Sequence, residues 1–197
     1  MKFLPIEILS HLFLFAAAFR IVPIPMLLDR KHLYSGKIVE LIVDTVSIKG
    51  EDYVREVVHH PGGVVILAEL SDGRIPFVRQ FRYPMQEILL ELPAGKLDLE
   101  EEPTVAAVRE LEEETGFRAT SLEKIFSFYP TPGFCDELLH FFYTKNLEEG
   151  EPNLEPDEDI VVEFYRLEEA LEMVKSGQIA DGKTLLGLLW LDWWRGR

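Results

Sequence analysis

Between residues 38 and 92 apolar and polar residues alternate in short runs broken by turn-forming residues, the period-2 signature of half-buried strands. Ile38, Glu40, Ile42, Asp44 and Val46 fall on one face and Val39, Leu41, Val43 and Thr45 on the other. Gly50-Glu51-Asp52 then turns the chain into residues 53–60, so this stretch predicts a β-hairpin. Residues 63–70 and 75–81, separated by Ser71-Asp72-Gly73-Arg74, predict a second hairpin, and residues 87–92 a strand that Pro93 ends. The period changes after Pro103, a residue suited to the first turn of a helix, and Gly116 is a natural C-terminal cap for it. Two further strands, 122–129 and 138–146, flank the loop Pro130-Thr131-Pro132-Gly133. An acidic loop over 148–159, a strand over 160–166 and helices over 167–176 and 181–194 complete the chain. Strands and helices interleave irregularly, which predicts an α/β fold with a mixed sheet between helices and not a doubly wound parallel sheet.

Residues 3–26 break this pattern. They are apolar apart from Glu7, Ser10, His11 and Arg20, and their centre runs Leu12-Phe13-Leu14-Phe15-Ala16-Ala17-Ala18-Phe19. Lys2 and the alanines fit a signal peptide weakly, and Glu7 and Arg20 fit neither a signal nor a membrane span. The preferred expectation is a helix packing on the body of the protein or on a partner subunit. The chain as a whole, 197 residues with 47% hydrophobic and 28% charged, suits one ordinary globular core. A net charge of −15 opposes attraction to nucleic acid or an anionic membrane surface. A small anionic ligand remains compatible if a few arginines and a metal ion supply positive charge locally. The single cysteine, Cys135, excludes an intramolecular disulfide and a cysteine zinc cluster, so a reducing cytoplasm is the default location.

The helix after Pro103 carries the candidate chemistry. At about 100° per residue, Glu110, Glu113 and Glu114 share one face while Glu112 points nearly the opposite way. Three carboxylates so spaced repel one another on a bare helix, and a divalent cation removes the penalty. Oxygen ligands of this kind suit a hard ion, Mg²⁺ or Mn²⁺, that keeps several waters and takes further ligands from substrate phosphates. Arg109, four residues before Glu113, can orient it. Charge runs usually mean a solvated face. The surrounding spacing argues otherwise: Gly95, five residues, Glu101, seven residues, Arg109-Glu110-Leu111, one residue, Glu113-Glu114, one residue, Gly116-Phe117.

That spacing matches the Nudix box at every defined position, and the chain resembles the Nudix hydrolases, which cleave nucleoside diphosphates linked to another group. The likeness runs from about Ser35 to the C-terminal helix. Arg55-Glu56-Val57-Val58, Arg79-Gln80-Phe81-Arg82-Tyr83-Pro84, Glu91-Leu92-Pro93-Ala94-Gly95-Lys96 and Pro132, fifteen residues after Phe117, are similar to the ADP-ribose pyrophosphatase branch. The resemblance implies an α/β/α sandwich with a mixed sheet over residues 61–197. It implies an N-terminal hairpin region over 35–60 used in a homodimer, whose strands cross to the other subunit and help to bind adenine. Residues 1–34 are left as an apolar extension. It further implies Mg²⁺ (or Mn²⁺) held by Glu110, Glu113, Glu114 and the Ala94 carbonyl, with Gly95, Glu101, Arg109, Gly116 and Pro132 in structural or orienting roles.

Arg55 and Arg82 stand where the branch grips the diphosphate or terminal ribose, a task that suits the planar, permanently charged guanidinium. Arg79 is a weaker candidate for the same task. The branch draws its general base from a loop beyond the box. Glu158 is the first choice for it, with Glu155 as runner-up and Glu113 as the candidate within the box. His59 and His60, on opposite faces of a strand, suggest structural roles, and Cys135 lacks an activating base. Trp190, Trp193 and Trp194 fit packing on an amphipathic helix. The expected reaction is hydrolysis of ADP-ribose to AMP and ribose 5-phosphate. Another nucleoside diphosphate sugar, such as ADP-glucose or GDP-mannose, and a catalytically silent nucleotide-binding module are the alternatives. The complete carboxylate set speaks against the silent module.

Overall fold

A computed structural model describes residues 22–154, 156 and 158–197. The apolar run before residue 22, and with it the expected N-terminal helix, lies outside the described residues. In chain order the strands are β1 (Met26–Ser35), β2 (Glu40–Ile48), β3 (Glu51–His59), β4 (Gly63–Ala68), β5 (Arg74–Arg82), β6 (Glu87–Glu91) and β7 (Ala94–Lys96). Helix α1 (Pro103–Thr115) follows, then β8 (Phe117–Ala119), β9 (Glu123–Phe128), β10 (Leu139–Thr144), β11 (Leu147–Glu149) and β12 (Ile160–Arg166). Helices α2 (Leu167–Ser176) and α3 (Gly182–Arg195) end the fold.

The first three strands form an antiparallel sheet in the order β1-β2-β3. Lys49 (φ 55°) and Gly50 (φ 87°) make the β2–β3 turn, both in the left-handed region that a tight hairpin demands. Strand β1 was not legible in the hydrophobic pattern, which placed its residues mostly within an extension. All ten of its residues are exposed, so it has no buried face to impress a period-2 pattern on the sequence. Its ladder to β2 and a bidentate ion pair hold it, with Arg30 Nε and Nη2 donating to Asp44 at 2.8 and 2.7 Å.

Behind this sheet lies a layered body. A mixed sheet runs β7-β4-β10-β9, with β4 and β10 parallel, and an antiparallel sheet runs β12-β5-β6. Strand β4 is buried along its whole length, which explains its unbroken apolar run. Val64, Ile66 and Ala68 face Ala106, Ala107 and Leu111 of α1, and Phe142 joins them. Val65 and Leu67 turn to the other side, into a core with Ile75, Phe77, Phe141, Leu188 and Leu191. Alternation on one central strand thus produces helices on both faces, as the expected sandwich requires. Pro103 and Gly116 bound α1 as predicted, with Gly116 at φ 77° donating its N–H to the Glu112 carbonyl at 2.8 Å.

An aromatic stack docks α3. Phe126 and Phe141 stack at 4.9 Å, and Trp190 meets Phe141 edge-on at 6.2 Å and stacks on Trp194 at 5.8 Å. Trp193 does not pack inward; it is 54% exposed and carries the Arg197 guanidinium 3.4 Å above its ring. Gly187 lets the helix sit this close, because a Cβ there would lie 2.7 Å from the Phe141 ring and 2.8 Å from Leu92 Cδ1. Among the described residues no helix is long and apolar enough to cross a membrane.

Two substitutions test this account of the core. Phe141→Ala should lower the unfolding free energy by about 3–5 kcal/mol and Gly187→Val by about 1–3 kcal/mol, one by cavity and the other by overpacking. Val161→Ala, on an exposed position, should stay within about 0.5 kcal/mol of wild type in the same urea titration.

Candidate active site

Strand β6 ends at Glu91, and Pro93 breaks the chain before it re-pairs as β7 against β4, which presses Ala94 and Gly95 onto the inner face of α1. Gly95 is a steric necessity, since a Cβ there would lie only 2.0 Å from the Glu110 carboxyl carbon. The Ala94 N–H donates to Glu114 Oε2 at 3.0 Å, so loop and helix are joined by hydrogen bond as well as by contact. A cleft of about 780 Å³ opens here, lined by Ala94, Gly95, Glu110, Glu113, Glu114 and Glu158 on one wall and by Gln80, Arg82 and Lys183 on another.

The helical geometry places the carboxylates as the spacing predicts. Glu110 and Glu114 are buried, Glu113 is more open, and Glu112 turns away to pair with Arg118 at 2.5 Å. Arg109 is the hub. Its Nη1 donates to Glu110 at 2.7 Å and to Glu113 at 2.9 Å, while Nε and Nη2 clasp Glu101 at 3.0 and 2.8 Å. The orienting role expected of Arg109 toward Glu113 therefore has its contact, and Glu101 is the anchor that fixes the guanidinium.

Burial, aided by the negative charges of Glu110 and Glu158, pushes the Glu114 carboxyl up to about 8 against the opposing pull of the Ala94 N–H. Burial likewise raises Glu110, with Glu113 and Glu158 adding to the shift against the pull of Arg109. This is an excess of desolvated negative charge built from hard oxygen donors, which a divalent cation fits. The side chains are held by Arg109 and the loop rather than gathered on a point, and among the described residues no three acidic, His or Cys side chains stand at metal-binding spacing.

On the cationic wall, Arg82 donates from Nε and Nη2 to the two oxygens of Glu91, both at 2.7 Å. Glu91 is 1% exposed; burial raises its carboxyl, but Arg82 and Lys183 outweigh that and hold it below the usual range. Lys183 pairs with the same carboxylate and with Asp181 at 3.0 Å. Sequence reasoning missed Glu91 and Lys183. The available signal was Asp181-Gly182-Lys183-Thr184, a helix N-cap in which Asp181 Oδ2 accepts from Thr184 N–H at 3.0 Å.

Other candidates fall elsewhere. Arg55 does not reach the cleft of its own chain; on exposed β3 its Nη1 donates to the Val54 carbonyl at 2.9 Å and its guanidinium lies over Tyr53. Arg79 points to the far side of β5, where Glu163 receives it at 2.6 and 2.9 Å and is drawn down to about 2, chiefly by that hydrogen bonding. Pro132 is exposed and off the cleft, whereas its neighbours Tyr129 and Pro130 line it. Its loop is tied to β3 by Val58 N–H to the Phe134 carbonyl at 2.8 Å and by Asp136, which accepts from His60 N–H at 2.9 Å and meets His59 Nδ1 at 2.6 Å. The His59 ring is thus held by Asp136, whereas the His60 ring, 3.5 Å from Glu137 Oε1, lines the cleft. Glu158 lines the cleft, and Glu155 lies outside the described residues.

Comparison with known proteins agrees with this geometry. The NUDIX domain model matches residues 59–186, and the chain belongs to that family. It is 44% identical over 166 residues to the ADP-ribose pyrophosphatase of Bacillus subtilis (strain 168), covering 83% of this chain and 90% of that protein. It is 40% identical over 165 residues to the methanol dehydrogenase activator of Bacillus methanolicus, covering 82% and 89%. A GDP-mannose pyrophosphatase of Escherichia coli O139:H28 is 37% identical over 140 residues, covering 66% and 73%. A crystal structure of an ADP compounds hydrolase superposes with a TM-score of 0.78 over 89% of this chain and 96% of that one, at 16% identity, and so shares the fold.

Two expectations follow from the carboxylate wall. Gly95→Ala should displace Glu110 and weaken divalent-metal binding roughly 10–100-fold by calorimetry, with the fold retained by circular dichroism. Glu114, whose folded value near 8 exceeds its usual 4.5, stabilises the metal-free fold when protonated, and that contribution is lost as pH rises through about 8. In EDTA the melting temperature of wild type should therefore fall more between pH 6 and pH 9 than that of Glu114→Gln.

Proposed function

We propose that this protein is a divalent-metal-dependent pyrophosphatase that hydrolyses ADP-ribose to AMP and ribose 5-phosphate. The observation that carries the reading is the pairing, across one cleft, of the buried Glu110–Glu114 wall closed by Gly95 with the Arg82 guanidinium. The 44% identity to an ADP-ribose pyrophosphatase over nine-tenths of its length supports the choice of substrate.

Glu110, Glu113, Glu114 and the Ala94 carbonyl would hold the metal, with Mg²⁺ preferred and Mn²⁺ as the other hard ion of suitable size. When bound, the ion supplies charge to the diphosphate oxygens and acidity to a coordinated water. Arg109, fixed by Glu101, orients Glu110 and Glu113. Arg82, fixed by Glu91, grips the diphosphate. Glu158, on the same wall as Glu110 and Glu114, takes the proton of the attacking water as general base. Arg55 fits this scheme in a homodimer in which the N-terminal sheet of one chain serves the cleft of the other. The exposed Met26, Leu27, Leu28, Leu33 and Tyr34 of β1 supply apolar area for such an interface. The single cysteine suits action in the cytoplasm.

A panel of nucleoside diphosphate sugars with Mg²⁺ and with Mn²⁺ tests the substrate: ADP-ribose should have the highest kcat/KM, and a tenfold preference for GDP-mannose would overturn the choice. Glu114→Gln should lose far more activity than Glu112→Gln, whose side chain faces Arg118. Glu158→Gln should lower kcat by about 10²–10⁴ with little change in KM, whereas a wild-type kcat would remove Glu158 as the base and turn attention to Glu155→Gln.

A further inference from the structure

Two cations, Arg82 and Lys183, converge on one buried carboxylate at the cleft, with Asp181 as the second acid of the cluster. Glu91 already has a bidentate partner in Arg82, which satisfies both of its oxygens in the geometry that suits a guanidinium best. A second cation, Lys183, nevertheless enters the same carboxylate from a helix more than 90 residues later in the chain, and its side chain is only 13% exposed. An ammonium has three donors. Glu91 and Asp181 take two, and Lys183 and Arg82 both form part of the cleft lining.

Lys183 is also held with little freedom. Thr184 Oγ1, next to it in α3, accepts the Leu92 N–H at 2.8 Å and donates to Asp181 Oδ2 at 2.7 Å. Leu92 lies directly before the Pro93-Ala94-Gly95 turn that presses on Glu110, so the α3 N-terminus is fixed to the segment that carries the carboxylate wall. Asp181, the remaining acid of the cluster, spends Oδ2 on Thr184 at the N-terminal end of the helix, where the helix dipole offsets its charge. Two cations therefore meet on Glu91 Oε2, and both line the cleft, as Asp181 does.

We propose that Lys183 is a second anion-binding residue of the cleft, contacting the diphosphate of a nucleoside diphosphate ligand beside Arg82, with Glu91 as the residue that positions both cations. This rests on the reading of the cleft as a diphosphate site but not on the identity of the sugar or the base. An ammonium-to-phosphate contact of this kind is a charge-assisted hydrogen bond, and its loss should read as a roughly 10- to 100-fold weaker ligand.

The test compares Lys183→Gln and Lys183→Arg with wild type in steady-state kinetics on ADP-ribose, in calorimetric binding of ADP with Mg²⁺, and in thermal unfolding. The expected result for Lys183→Gln is a KM and an ADP Kd raised about tenfold or more with kcat within twofold, and for Lys183→Arg substantial recovery of both. Unchanged KM and Kd in Lys183→Gln would overturn the proposal, whether or not its melting temperature falls. If Lys183→Gln does not fold, Glu91→Gln/Lys183→Gln, which removes a buried anion and a cation together, is compared with Glu91→Gln alone; equal ADP affinity in the two would likewise overturn it. A wild-type enzyme that prefers another nucleoside diphosphate sugar, with the Lys183 effect intact, would retain this proposal while removing ADP-ribose as substrate. A wild-type protein that neither turns over any member of the panel nor binds ADP would remove both.

Discussion

Two glutamates buried on one turn of helix dominate the architecture of the cleft. Glu110 and Glu114 sit almost out of water on the face that α1 presents to β7; burial raises the proton affinity of both, and Glu110 raises that of Glu114 further. Such an arrangement is unfavourable by itself, and the surrounding residues answer that difficulty. Gly95 gives up a side chain to admit the Glu110 carboxyl, the Ala94 N–H points at Glu114, and Arg109 spreads its donors over Glu110, Glu113 and Glu101. The helix beneath is held by small residues, Ala106 and Ala107, that let it lie close to β4.

Another buried acid, Glu91, organises the cationic wall by a different solution. There the negative charge is matched by neighbouring cations from two distant parts of the chain, one on β5 and one at the start of α3. Removing both cations would leave a buried charge uncompensated, a change that usually destabilises strongly. Acid-rich and cation-rich walls thus face one cleft although the protein as a whole carries a charge of −15. Local placement overrides net charge at this scale.

The box helix was readable in the sequence because its geometry is local: Pro103 starts it, Gly116 stops it, and the angles between Glu110, Glu113 and Glu114 follow from helical pitch alone. Strand β4 was readable from its apolar run, and the turn at Gly50 from its glycine. What escaped the sequence depends on contacts between distant segments. Strand β1 lacks a buried face; the role of Glu91 appears only when Arg82 and Lys183 meet on it; and Arg79 and Arg82, which strand alternation puts on opposite faces, are told apart as cleft and non-cleft only by their partners Glu163 and Glu91. Arg55 carried a motif-based expectation that one chain by itself does not fulfil, because β3 directs it away from its own cleft.

The three tryptophans of the chain all lie at the C-terminal end of α3, and two of them stack on each other beside Tyr143. The intrinsic fluorescence of the protein is consequently a local reporter. It watches the helix that begins at Lys183, through the indole rings seated on Phe141 and Tyr143, and is nearly blind to the N-terminal sheet, whose aromatic residues are tyrosines such as Tyr34 and Tyr53. An emission shift on adding nucleotide would signal a change in the seating of that helix, whereas detachment of the N-terminal sheet would pass unseen by this probe and would need tyrosine absorbance or a label placed on β1.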